Sequence, residues 1–477
     1  MAQMTSFISA DELRTEFALA MSKMYKEEVP LYGDLVKIVH DINAATVLQT
    51  TNTDPIPDTV ALEASTERLT LERHGAIRLG TPYELQTVRR IFAVLGMQPM
   101  GYYDLSVAGL PMHATCFRPR EISSLDRNPF RVFTTLLRPE LLASETAREQ
   151  ALGLLEQRRI FTDRLLDLLT IAEAQGTRLT NEQAKTFIPE ALLSFSWRSL
   201  AAATFDQYQA LRDEHPILAD IACFQSAHIN HLTPRTLNIT AVQAAMQSAG
   251  MAVKSRIEGP PLRKCPILLR QTSFLALQEM VHFKASPKSD GTELIRGSHT
   301  ARFGEIEERG AAVTPKGREL YDKLLRESMA KSAGADLQDV DAIVADVFKQ
   351  YPDDWTELRQ QGLIYCEYRC INKKGRDELR WNETASVLEQ LIAEGFVEAS
   401  PITYEDFLPF SAAGIFQSNL RSQDKAENPL GLQRGTADPE GLARALQEAP
   451  MDIDEWYWRV QRQSLELFTS VLVTEVS

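Results

Sequence analysis

The sequence predicts an α+β fold in which two β-α-β-β-β modules form a central curved sheet, with large helical insertions around it. Three observations predict it. A His-x-x-x-Arg pattern occurs twice, in Arg73-His74-Gly75-Ala76-Ile77-Arg78-Leu79-Gly80 and in Asn230-His231-Leu232-Thr233-Pro234-Arg235. Each copy is followed within a few residues by a helix-like stretch, 82–95 and 238–249. Each of those stretches is followed by three short strand-like runs split by turn residues. A duplicated strand-helix unit with one histidine per copy lets the two imidazoles meet at a pseudo-twofold axis.

The elements follow in chain order. Ser9 precedes Asp11 and Glu12, a cap with acids in the first turn, and apolar Leu13, Phe17, Ala20 and Met24 recur at helical spacing over 9–25. A second helix is expected over 32–48. In the first module, 69–79 reads as a strand, and Thr81-Pro82 supplies a cap and a first-turn proline for the helix at 82–95. Strand-like runs follow at 102–108, 112–118 and 131–137. Residues 145–169 read as one long helix, and 180–213 as one or two more. The second module is expected to open with a strand at 224–232, then the helix at 238–249 and strands at 267–269, 278–283 and 302–308. Residues 314–400 read as helical, and the tail from 436 again as helical. The boundaries are N-terminal helices at 1–59, first module at 60–141, helical insertion at 142–222, second module at 223–313 and helical C-terminal region at 314–477.

Composition bounds the function. Apolar residues make up 44% and charged residues 24% of the 477, an ordinary globular balance. The net charge of −14 argues against nucleic acid or an anionic membrane as the main partner, but leaves room for a local basic pocket. The five cysteines are scattered and read as buried free thiols of a reducing compartment. Charged residues interrupt the first 21 positions, so no signal-peptide core is expected, and no apolar run approaches a membrane span. A cytoplasmic protein is the expectation.

The chemistry centres on the repeated segment. On a strand, His74, Ala76 and Arg78 share one face, and so do His231, Thr233 and Arg235. Four residues advance a strand by ~13 Å, within reach of an arginine side chain leaning back toward a ligand at His74. A guanidinium grips a carboxylate through two hydrogen bonds. Two neutral imidazoles and one carboxylate form the facial triad of non-haem Fe(II) oxygen chemistry. The segment Phe303-Gly304-Glu305-Ile306-Glu307-Glu308 supplies the acid, with Glu305 and Glu307 on one face, though such a cluster also reads as a solvated edge. His282 is a competing ligand. No G-x-G-x-x-G, P-loop, G-x-S-x-G or HExxH motif is present.

Paired modules with His, His and a late Glu resemble the vicinal oxygen chelate superfamily. Four segments in this order resemble, more closely, the 2-oxoadipate dioxygenase/decarboxylase family, also called hydroxyglutarate synthase. They are 73–81, 229–235, 302–310 and Phe407-Leu408-Pro409-Phe410-Ser411-Ala412-Ala413-Gly414-Ile415-Phe416. The resemblance implies a metal on His74, His231 and Glu305, and Arg78 as the catalytic and substrate-binding arginine. It implies that 400–416 lines the pocket, with Phe410 and Ser411 against the substrate. It also implies an Fe(II) enzyme converting 2-oxoadipate and O2 to 2-hydroxyglutarate and CO2 in lysine breakdown. Two alternatives stay open: another metal-dependent enzyme on this scaffold, such as an extradiol dioxygenase or a lyase, and a non-catalytic metabolite-binding protein.

Overall fold

The structure is a computed structural model that describes residues 6–51, 66–285, 294–371, 387–408 and 436–474. The chain forms two compact units. The first comprises Met1–Glu258, Gln271–Glu308 and Phe407–Met451, and the second Gly259–Arg270, Arg309–Asp406 and Asp452–Ser477. The described residues contain mixed helix and strand, as the expected α+β class requires.

The first unit opens with helices α1 (Ala10–Glu28) and α2 (Pro30–Thr51). The Ser9 hydroxyl accepts from the Glu12 amide and the Glu12 carboxylate accepts from the Ser9 amide, each at 3.2 Å, so the cap foreseen at Ser9 is a reciprocal box. One side of α1 buries Leu13, Phe17, Met21 and Tyr25. Arg14 is buried too. Its guanidinium donates to the carbonyls of Ser124, Asn128 and Leu95 at 2.8–3.1 Å and so ties α1 to the first module.

That module contains strands β1 (Arg73–Leu79), β2 (Gln98–Asp104), β3 (Met112–Arg118) and β4 (Arg131–Leu137), with a helix at Pro82–Val94 between the first two. Leu85, Val88, Ile91 and Phe92 of that helix join Ile77, Leu79, Phe117 and Val132 in one core. Each such side chain contributes about 1.5–3 kcal/mol by leaving water. Strand β1 runs parallel to β4, the order that β-α-β-β-β demands.

The insertion is helical at Glu145–Gln157, Asp163–Ala174, Asn181–Leu192, Phe205–Glu214 and Pro216–Ala222. The single long helix expected over 145–169 is two, because the Thr162 hydroxyl caps a new start by accepting from the Leu165 amide at 3.1 Å. An unforeseen strand, β5 (Leu200–Thr204), lies among them.

In the second module the sheet continues through β6 (His231–Pro234), antiparallel to β1, giving the strand order β2-β3-β4-β1-β6. The strand expected at 224–232 therefore starts only at His231. The residues before it satisfy their backbone elsewhere: the amide of Ala227 bonds Ser194, that of Ile229 bonds Phe195 and that of Asn230 bonds Ala76. After a helix at Ile239–Ser248 come β7 (Leu269–Ser273), β8 (Gln278–Lys284), β9 (Ile295–Thr300) and β10 (Glu305–Arg309). The β8 strand was expected in this module, but it pairs with β5 and β9 in a separate sheet. Alternation marks a strand without naming its partner. Arg235 and Glu307 form a parallel bridge, so β10 lies beside β6 as β4 lies beside β1.

The second unit holds helices at Pro315–Lys331, Leu337–Val347, Trp355–Gln360, Val387–Ala393 and Ile453–Thr474, and an antiparallel pair β11 (Cys366–Cys370) and β12 (Val397–Pro401). That pair falls where the sequence reads as helical. Among the described residues, no helix is long and apolar enough to cross a membrane.

Candidate metal centre

The centre forms where β1, β6 and β10 come together. Gly75 allows the approach. A Cβ there would meet Ile229 Cδ1 at 2.4 Å and the His231 carbonyl oxygen at 3.3 Å, so a larger residue would hold the two histidine-bearing strands apart. Tyr25 of α1 braces the other side, its hydroxyl 2.9 Å from the Asn230 carbonyl and 2.8 Å from that of Phe303. One phenol thus links the chain entering β6 with the chain entering β10.

His74, His231 and Glu305 are all buried, and one potential ligand atom from each lies within 4.8 Å of the others. The two imidazole rings meet edge to face, 5.3 Å apart. His74 Nε2 is 3.0 Å from Glu305 Oε2, and His231 Nε2 is 3.6 Å from the same oxygen. Thr233 Oγ1 and Gln271 Nε2 also donate to Glu305 Oε2, at 2.9 and 3.0 Å. Glu305 Oε1 and both ring nitrogens of His231 have no hydrogen-bond partner among the described residues. Buried polar atoms are seldom left so.

Glu307 faces the same cluster but takes a different place. Its Oε2 lies 2.9 Å from His74 Nδ1, so the two glutamates that share a strand face bracket one imidazole from opposite edges. Burial by itself would lower the His74 pKa, but the Glu307 and Glu305 carboxylates outweigh it and hold it above the ordinary value. His231 is pushed down to about 4 by burial, against the pull of Glu305 and with help from His74 and Arg78. Burial would raise the Glu305 carboxyl, yet His231, His74 and the Thr233 hydroxyl keep it below its usual range. The cluster therefore sets one carboxylate between two imidazoles whose proton affinities are pushed in opposite directions. The rings are walled by aromatic side chains, Phe407 at 4.9 Å from His74 and Phe303 at 4.9 Å from His231.

The two arginines of the repeat part company. Arg78 Nη1 donates to Asp220 at 2.5 Å, and its charge is one of those that depress His231. Arg235 turns to the buried Glu72, which also pairs with Arg131. Phe410 and Ser411 lie outside the described residues. His282 sits on β8, in the separate sheet, and is not part of the cluster. Sequence reasoning missed a second buried group, Asp220, His228 and His299. One signal was available: Asp220 is the only charged residue in the helix Pro216–Ala222.

Comparison with known proteins bears on this centre. The family model for 2-oxoadipate dioxygenase/decarboxylase matches residues 17–419. A 2-oxoadipate dioxygenase/decarboxylase of Pseudomonas putida is 46% identical over 472 residues, covering 98% of each chain. One from Mycobacterium bovis is 36% identical over 428 residues, covering 88% of this chain and 90% of its own. The crystal structure of the hydroxyglutarate synthase from Pseudomonas putida in complex with 2-oxoadipate superposes with a TM-score of 0.83 at 44% identity, covering 97% of this chain and 98% of that one. A Shigella flexneri protein of uncharacterised function superposes with a TM-score of 0.81 at 42% identity, over 96% of this chain and 99% of its own. With its paired histidines and its glutamate on three adjoining strands, the chain is an enzyme that belongs to the 2-oxoadipate dioxygenase/decarboxylase family.

Proposed function

We propose that this enzyme holds Fe(II) on His74, His231 and Glu305 and converts 2-oxoadipate and O2 to 2-hydroxyglutarate and CO2, as a cytoplasmic step of lysine breakdown. The observation that carries the reading is the convergence of two imidazoles and one carboxylate, all buried, with one possible ligand atom from each within 4.8 Å of the others. Two nitrogens and one anionic oxygen suit a first-row divalent ion with positions left for substrate. The complex of the Pseudomonas putida hydroxyglutarate synthase supports 2-oxoadipate as the substrate.

Fe(II), when bound, supplies the oxygen chemistry that no side chain offers. The protein supplies the rest. Glu307 at His74 Nδ1 sets the orientation of that ring and raises its basicity, as an outer carboxylate does for a ligating histidine. Thr233 and Gln271 fix the Glu305 carboxylate through Oε2. Phe407 and Phe303 keep water off the imidazoles. Arg78 receives the distal carboxylate of the substrate and so sets which carbon faces the ligand cluster.

Air-equilibrated protein reconstituted with Fe(II) and given 2-oxoadipate tests this. Mass spectrometry is expected to show 2-hydroxyglutarate, and none after chelation. Equal product from chelated protein would contradict the reading.

A further inference from the structure

Outside the candidate metal centre, a second buried polar group surrounds Asp220. The Asp220 carboxylate has two distinct ends. Its Oδ2 accepts from Arg78 Nη1 at 2.5 Å and from Asn230 Nδ2 at 3.4 Å. Its Oδ1 lies 2.8 Å from His299 Nε2 and 3.1 Å from His228 Nε2. His299 is fixed in turn. Its Nδ1 is 3.0 Å from the Tyr208 hydroxyl, and the Trp197 ring stacks on it at 8°. Asp220, His228 and His299 are each 5% exposed or less.

These three residues could be read as a second cation site, since their ligand atoms also lie within 4.8 Å. Charge decides against it. The group has one carboxylate, and a guanidinium already occupies one end of it. A divalent ion on the other end would face that guanidinium across a single carboxylate. At the metal centre the contacts of Glu305 are imidazoles, a hydroxyl and an amide, and a second carboxylate stands behind His74.

We propose that Asp220, braced by His299 and His228, is the positioning residue that fixes Arg78 and thereby sets the length of 2-oxo dicarboxylate the enzyme prefers. The proposal rests on the reading of Arg78 as the clamp for the distal carboxylate. An arginine side chain is long and rotamer-rich, and a free one would follow a carboxylate over a range of distances. A guanidinium tied to Asp220 through Nη1 is confined to one position on the strand that carries His74. Burial alone would raise the Asp220 carboxyl, but His228, Arg78 and His299 hold it well below its usual range, so the anchor stays charged.

The test compares kcat/KM for six-carbon 2-oxoadipate with that for five-carbon 2-oxoglutarate, in Fe(II)-loaded protein of measured iron content. Asp220→Asn keeps the shape and removes the charge. It is expected to bring the ratio of the two kcat/KM values at least about tenfold closer to one, with iron content unchanged. In an Arg78→Ala background the same substitution is expected to change the ratio no further. Equal loss on both substrates, or additive effects in the double variant, would overturn the proposal, because a merely structural residue behaves so. Should Asp220→Asn not fold, His299→Gln is judged by the same ratio and the same criterion. If Arg78→Ala itself turns over 2-oxoadipate like the parent enzyme, the clamp reading fails. If Arg78→Ala is impaired and Asp220→Asn keeps the parent ratio, the anchor alone fails.

Discussion

At the scale of residues, the candidate metal centre separates two glutamates that share one strand face. Glu305 touches the histidine edges that converge, whereas Glu307 sits behind His74 at Nδ1. Glu305→Gln is therefore expected to abolish Fe(II) binding, measured by metal analysis. Glu307→Gln is expected to weaken it by about 10–100-fold, the usual effect of removing an outer carboxylate. The reverse ranking would exchange their roles. His74→Ala and His231→Ala should each lose iron and turnover while staying folded by circular dichroism. Arg78→Ala should keep its iron and lose at least about tenfold in kcat/KM for 2-oxoadipate, since a hydrogen bond to a charged group contributes about 1.5–3 kcal/mol. A 2-oxo acid without the distal carboxylate should be nearly indifferent. Arg78→Lys should rescue only in part, because an ammonium has no two-pronged fork. His74 and His231 were legible because the motif repeats. The Asp220 group was not, because Asp220, His228 and His299 follow no repeated motif and meet only in the folded chain, where both rings reach Asp220 Oδ1 and pack against Trp197.

At the scale of elements, the close pairing of β1 and β6 brings the histidines together, and Gly75 makes that pairing possible. Gly75→Ala is expected to force the strands apart, costing about 1–3 kcal/mol as overpacking does. Thermal unfolding and iron affinity should fall together. A variant with parent stability and parent affinity would show that the contact at Ile229 relaxes without moving the site. Caps and first-turn signals made α1 and the helix at Pro82–Val94 readable, because the groups that close them are neighbours in sequence. The start of β6 was not readable. Residues 224–230 have strand-like composition, yet tertiary hydrogen bonds to Ser194, Phe195 and Ala76 hold them irregular. The β11–β12 pair was missed for a related reason: its strands are five residues each, too short for alternation to outweigh the helical stretches around them.

At the scale of the molecule, the duplicated architecture was legible because two copies of one pattern constrain each other, while the partners of β5 and β8 depended on contacts no local pattern encodes. Charge has a global consequence as well. Burial holds His113 and His215 down to about 4, the first helped by Arg138 and the second by Arg78. A histidine whose folded pKa is depressed contributes stability that is present above its unfolded pKa of ~6.5 and is lost as pH falls toward the folded value. In iron-loaded protein the melting temperature should fall as pH goes from 7 to 5, and a flat profile would mean that these two rings are not the neutral, buried groups described. On the proposed function, His74, His231 and Glu305 hold the iron at which one O2 is consumed for each 2-oxoadipate decarboxylated. Simultaneous measurement of O2 uptake and CO2 release, on protein of known iron content, tests it most directly. O2 consumed and CO2 released are expected in equal amounts, scaling with bound iron and absent in His231→Ala. CO2 release without O2 uptake, or turnover independent of iron, would contradict it.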